Sequence, residues 1–143
     1  MMFLVIDINA IFSALISKGH SFMIFKLNAE KKKFRFIAPE FILVEAGKHL
    51  TEIAERSSLP IEELQEDMEF IKEQIHFISE EYYEDKNEEA RKILREHLKD
   101  VPYLALALKK NCNVFSGDRV FKKLCPGKVK TLKELLEEFY KNH

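Results

Sequence analysis

The apolar run Phe3-Leu4-Val5-Ile6 stops on Asp7, and NVF at 113–115 leads through Ser116 and Gly117 to Asp118. Glu45 interrupts a stretch that is otherwise FILV and AG, and Asp100 stands before Val101-Pro102 and a segment rich in Ala and Leu. A carboxylate beside buried apolar surface resists leaving water unless it is paired, hydrogen-bonded or metal-bound. Each acid also has a local reading. Asp7 and Asp100 suit helix N-caps, whose side chains accept backbone N–H bonds, and Gly117-Asp118 suits a turn. Glu45 shares a mixed helical stripe with Phe41 and Lys48, which fits a partly exposed neighbour of the core. If the four converge, their charges need an answer: two like charges about 4 Å apart cost about 4 kcal/mol at an effective dielectric near 20. Such a set is partly protonated or filled by a cation. Hard oxygen donors favour Mg²⁺ or Mn²⁺ over zinc.

Other metal-ligating types add little at this level. His20, His49, His76, His97 and His143 show no ligand spacing and receive no role. Cys112 and Cys125 are thirteen residues apart without a CxxC, which argues against a zinc site and a disulfide scaffold.

The acids must be positioned by elements that can be read from the pattern. FLVI (3–6) is too continuously apolar for a half-exposed strand and predicts a fully covered one. Residues 9–28 carry Ile11, Phe12, Leu15, Ile16, Met23, Ile24 and Leu27 at helical spacing, broken near Gly19. FRFIA (34–38) predicts a second strand, after which Pro39 starts a helix through Ile53. IEELQEDMEFIKEQI places Ile61, Leu64, Met68 and Ile71 on one helical face, and HFI (76–78) predicts a third strand. Helices follow from about Asn87 and over KDVPYLALALKKN, then the strand NVF, the segment VFKKL and a terminal amphipathic helix opening at Thr131. Strands alternating with helices make an α/β fold with a mainly parallel sheet. Ligands bind such sheets at the carboxyl ends of the strands, where Asp7 and Asp118 fall.

Bulk properties bound the rest. With 143 residues, 46% apolar, and only four glycines and four prolines, the chain reads as one ordered domain over 1–143. The 23 basic and 24 acidic residues nearly cancel, so any nucleic-acid contact needs local clusters. No membrane-length apolar run or cleavable leader is evident, which predicts a cytoplasmic protein without membrane contact.

The motifs FLVIDINAI, APEFILVEAGKHL and KDVPYLALALKKNCNVFSGD, with the short tail helix, resemble the PIN domain family of nucleases over essentially the whole chain. Many members are toxins of bacterial and archaeal toxin–antitoxin pairs. The resemblance implies a three-layer α/β/α PIN-like fold, its central sheet flanked by helices. It implies an acidic quartet of Asp7, Glu45, Asp100 and Asp118 as catalytic and metal-holding residues, supported by Asn9 and Ser116. Asp7, Asp100 and Glu45 would hold one Mg²⁺ or Mn²⁺, with Asp118 completing the site or holding a second ion. The implied reaction is hydrolysis of RNA phosphodiester bonds to a 5′-phosphate and a 3′-hydroxyl. An antitoxin protein and a homodimer are the implied partners, with apolar residues in 41–78 available for an interface.

Arg119, Lys122 and Lys123 follow Asp118 and are candidates to reach substrate phosphates, whereas Lys31, Lys32 and Lys33 suit a solvated loop. Twelve Phe and no Trp look like core rather than base-stacking platforms. Three other α/β classes fit poorly. A haloacid-dehalogenase-type phosphatase needs an aspartate where Asn9 stands, a receiver domain needs an acidic pair and a late lysine, and a dinucleotide-binding domain needs a glycine-rich turn that DINAIFSA lacks. The remaining alternative is a catalytically silent PIN-like module that binds RNA or a protein partner.

Overall fold

The computed structural model describes residues 2–141. Strands β1 (Met2–Ile6), β2 (Phe34–Pro39), β3 (Ile75–Ile78), β4 (Asn113–Phe115) and β5 (Val129–Lys130) lie in the order β3-β2-β1-β4-β5. Each neighbouring pair is parallel. Leu4, Val5 and Ile6 are all buried, as the uninterrupted apolar run requires of a central strand covered on both faces.

The helices are α1 (Ile8–Ser17), α2 (His20–Lys31), α3 (Ile42–Ser57), α4 (Ile61–Lys72), α5 (Glu80–Tyr83), α6 (Asn87–Leu94), α7 (Val101–Lys110), α8 (Arg119–Leu124) and α9 (Leu132–Tyr140). α7 lies against β1, β2 and β4 and is backed by α5 and α6. On the other face α1 packs with α2, α3 and α4, and α9 closes against α2. The result is the expected three-layer α/β/α arrangement. Buried residues of both faces form one contiguous core, with Phe25, Phe36 and Phe121 among its largest fully buried side chains. Phe25 and Phe36 meet edge to face at 5.4 Å, which accounts for part of the phenylalanine content as packing. Cys112 and Cys125 are both free thiols. Among the described residues no single helix is long and apolar enough to cross a membrane.

Local details depart from the pattern at three points. The break between α1 and α2 turns on Lys18, which adopts the left-handed conformation (φ 48°) and caps α1, while Gly19 stays at negative φ. Pro39 ends β2 instead of starting a helix, and α3 begins at Ile42. The next N–H, of Glu40, bonds Ile78 on β3, so the N–H-less side of Pro39 faces β1. There the β1–β2 register has already ended at Val5 and Ile37, and no ladder bond is lost. Strand β5 has only two residues, too few to leave an apolar signature.

From β1 the chain passes to β2 on one side, while β4 docks on the other. The strand order therefore reverses between β1 and β4, and a crevice opens beyond their carboxyl ends. The Asp7 N–H donates to the Phe115 carbonyl at 3.2 Å, so the last ladder bond sits at the mouth of that crevice.

Candidate active site

Asp7 leaves β1 and caps α1. Its Oδ1 accepts the Asn9 backbone N–H at 2.9 Å, and its Oδ2 accepts the Ser116 hydroxyl at 2.7 Å. The same Ser116 oxygen accepts the Asp118 N–H at 3.1 Å. One buried hydroxyl thus joins the exits of β1 and β4. Ile8 N–H donates to the Tyr103 hydroxyl at 3.3 Å, tying the start of α1 to α7.

Asp118 divides its two oxygens in the same way. Oδ1 caps α8 through the Val120 and Phe121 N–H groups at 2.9 and 3.1 Å. Oδ2 faces His97 Nε2 at 3.0 Å and Lys99 Nζ at 3.2 Å. Capping and site-forming are therefore properties of different oxygens of one carboxylate.

Asp100 behaves otherwise. It occupies the N-cap position of α7, reached through a 3₁₀ turn over Leu98–Asp100, yet its side chain makes no capping bond. It is 2% exposed, and its Oδ2 has no hydrogen-bond partner. His97 Nε2 is only 2.7 Å from that oxygen. The ring nitrogen has a single N–H to give, however, and it goes to Asp118. The close approach to Asp100 is thus a contact without a bond.

The electrostatics follow this geometry. Burial raises the Asp7 carboxyl above its usual range, against the opposing bonds from Ser116 and Asn9. Burial also pushes Asp100 up to about 7, reinforced by the charge of Asp7, by a side-chain hydrogen bond shared with Asp118 and by the Asp118 charge. For Asp118, burial works against ionisation, but the Phe121 N–H, His97, Lys99 and Asp100 together hold its carboxyl well below the carboxylate range. Asp118 is the ionised member, so the nitrogen facing it acts as donor.

One donor atom from each of His97, Asp100 and Asp118 lies within 4.8 Å of the other two. Asp7 joins them through Ser116 and through its charge on Asp100. Glu45 does not join this cluster. Its half-exposed carboxylate faces Lys48 Nζ at 3.8 Å and His49 Nε2 at 3.5 Å. Asn9 lines a cleft beside the acids with Lys99, Gly117 and Asp118. A larger cavity, lined by Phe3, Arg35, His76, Tyr82 and Lys110, lies elsewhere and brings no carboxylate cluster with it.

Of the three candidate cations after Asp118, Arg119 and Lys123 are exposed. Lys122 is engaged: its Nζ meets the Val129 carbonyl at 2.8 Å, Glu134 at 3.0 Å and the Pro126 carbonyl at 3.3 Å. It pins α8 to α9 rather than facing the acids. The cation beside the acids is Lys99, which sequence reasoning passed over together with His97. The available signal was His97-Leu98-Lys99-Asp100, whose i,i+3 spacing brings His97 over Asp100 within one turn.

The donor set fits a divalent cation. Two carboxylates and His97 converge at a strand-order reversal, with Asp7 tied to them through Ser116. One buried oxygen, Asp100 Oδ2, has no hydrogen-bond partner, a costly condition unless something takes it up.

A PIN domain model matches residues 5–139. The chain belongs to the PIN domain family. No curated protein matches it. The fold is similar to a chain in the crystal structure of VapBC2 from Rickettsia felis bound to a DNA fragment from their promoter, with a TM-score of 0.60 and 16% identity over 91% of this chain and 98% of that one. PIN domain membership implies nuclease chemistry in general.

Proposed function

We propose that this PIN domain is a cytoplasmic, divalent-metal-dependent endoribonuclease that hydrolyses RNA phosphodiester bonds, and that it is the toxin of a toxin–antitoxin pair. The observation that carries the reading is the unbonded, buried Asp100 carboxylate oxygen set among Asp118, His97 and Asp7. PIN domain membership supports the nuclease chemistry, and likeness to VapBC2 supports an antitoxin partner. A homodimer belongs to the same proposal. Phe41, Leu43 and Val44 on and before the first turn of α3 are exposed, and light scattering at several concentrations tests them as an interface.

Asp100 and Asp118 would hold the Mg²⁺ or Mn²⁺, with Asp7 behind them; Glu45 enters this role only if its side chain leaves Lys48 and His49. When bound, such an ion supplies an acidified water and offsets charge on the phosphate. The chain's own groups do the remaining work. Ser116 fixes the Asp7 carboxylate in one orientation, and Tyr103 holds the turn that presents it. Lys99, largely exposed and 3.2 Å from Asp118, is placed to meet a substrate phosphate at the rim. Asn9 lines the cleft, and Arg119 and Lys123 extend the positive surface beyond it.

The test is RNA cleavage by purified protein with Mg²⁺, Mn²⁺ or EDTA, alongside Asp100→Asn. Metal-dependent cleavage leaving a 5′-phosphate, abolished by the substitution, is expected. Cleavage that survives EDTA rejects the metal-dependent reading. RNA binding without cleavage under any divalent ion supports the silent module instead.

A further inference from the structure

His97 stands in the site without a part in the scheme above. Its Nε2 is 2.7 Å from Asp100 Oδ2 and 3.0 Å from Asp118 Oδ2, the shortest approaches either oxygen makes to a nitrogen. Its side chain is mostly buried, and the 3₁₀ turn of Leu98–Asp100 fixes the three-residue spacing to Asp100. We propose that His97 is a ligand of the ion held by Asp100 and Asp118, and that this nitrogen donor gives the site a preference for Mn²⁺ over Mg²⁺. The inference rests on the metal-dependent reading and specifies the chemistry of that same site.

The geometry of this contact points to a ligand rather than a surface ion pair. The imidazole nitrogen facing the acids can donate one hydrogen bond, and two carboxylate oxygens confront it. Asp100 is 2% exposed, and its buried Oδ2 has no hydrogen-bond partner although it lies 2.7 Å from that nitrogen. A cation among the three resolves the conflict: both carboxylates ligate, and neutral His97 presents a lone pair instead of a proton. The donor count agrees. Glu45 is paired with Lys48 and His49, and both oxygens of Asp7 already accept hydrogen bonds, so nitrogen fills the place that a fourth acid would take.

Ion preference follows from donor type. Mg²⁺ takes oxygen donors and keeps much of its water. Imidazole suits first-row transition ions, whose affinities for nitrogen-containing sites begin to rise at Mn²⁺.

Pulsed electron paramagnetic resonance on the Mn²⁺-loaded wild-type protein reads the proposal directly, through ¹⁴N coupling from a directly bound imidazole. That coupling is expected in the wild type and absent in His97→Gln. The substitution is expected to weaken Mn²⁺ binding at least about tenfold, while Mg²⁺ binding, read by competition, changes by about threefold or less. Mn²⁺ bound to wild type without ¹⁴N coupling overturns the proposal and leaves the metal-dependent nuclease reading standing. Tighter Mn²⁺ binding by His97→Gln also overturns it, since His97 would then be covering the acids. Absence of both Mn²⁺ and Mg²⁺ binding by wild type removes both readings. The wild-type spectrum decides the matter even if the variant fails to fold.

Discussion

Two polar clusters lie at the carboxyl edge of the sheet, and they differ in completeness. Between α8 and α9, Lys122 spends its ammonium on two carbonyls and Glu134, while Glu134 and Thr131 close a reciprocal capping box. The Glu134 carboxyl is lowered to about 2, first by the Thr131 N–H and then by Lys122. Between β1, β4 and α7, by contrast, Asp100 is raised, unbonded at Oδ2 and crowded by Asp7 and Asp118. The first cluster has partners for its charges and stabilises the fold. The second leaves one buried carboxylate oxygen, Asp100 Oδ2, without a hydrogen-bond partner, which suits it to an external cation.

The most severe way to break the contrast is Asp100→Asn. It is expected to lower metal-dependent cleavage by at least about a hundredfold, the scale of losing one preorganised electrostatic group. Its metal-free melting temperature should stay at or above that of wild type, because the substitution relieves like-charge crowding. A variant that cleaves normally, or that is strongly destabilised without metal, would make the two clusters equivalent.

Mn²⁺ or Mg²⁺ should raise the wild-type melting temperature, with about 2.7 kcal/mol of stabilisation at a hundred times the dissociation constant. Asp7→Asn should abolish that response, and differential scanning fluorimetry measures both. Ser116→Ala removes the hydroxyl that bridges Asp7 and the Asp118 N–H. We expect about 1–3 kcal/mol of lost stability from the orphaned partners, read by urea unfolding, together with weaker metal binding.

The other cluster should respond in the opposite sense. Lys122→Met is expected to cost about 1 kcal/mol of stability and to leave RNA affinity unchanged, whereas Arg119→Ala with Lys123→Ala lowers affinity and flattens its salt dependence. A loss of RNA binding in Lys122→Met would return that lysine to the substrate surface. The smallest effect is expected for Glu134→Gln. Because folding lowers this carboxyl from 4.5 to about 2, its contribution is full above pH 4.5 and disappears as pH falls toward 2. Acid titration of stability should lose a small slope in that window, muted because the pair is partly exposed.

The sequence displayed the scaffold of the acidic cluster better than its membership. Apolar β1 ending on Asp7 was readable because a strand covered on both faces has no polar alternation to blur it. Asp100 was readable before a compact Ala- and Leu-rich helix, although its missing cap bond was not, since an N-cap position and a capping hydrogen bond look alike in one dimension. Glu45 shows the limit of helical phase: its stripe mixes Phe41 with Lys48, and a side-chain rotation settles which neighbour it faces. His97 was hidden by comparison with other histidines, when its relevant neighbour was an aspartate three residues on. Lys122 was assigned outward by proximity to Asp118 in sequence, but the six-residue helix α8 turns it toward β5, which is itself too short to detect.

The pairing of Ile6 with Phe115 has a consequence for how the chain tolerates length changes. It works as a ruler: one residue added between Phe115 and Asp118 falls beyond the last paired residue and carries Asp118 away from the Ser116 hydroxyl that sets it against Asp7. The same addition in the turn ahead of β4, at Asn111 and Cys112, can be absorbed upstream of the ladder. Spacing on one side of three hydrogen-bonded residues is therefore rigidly inherited, and on the other side free to drift.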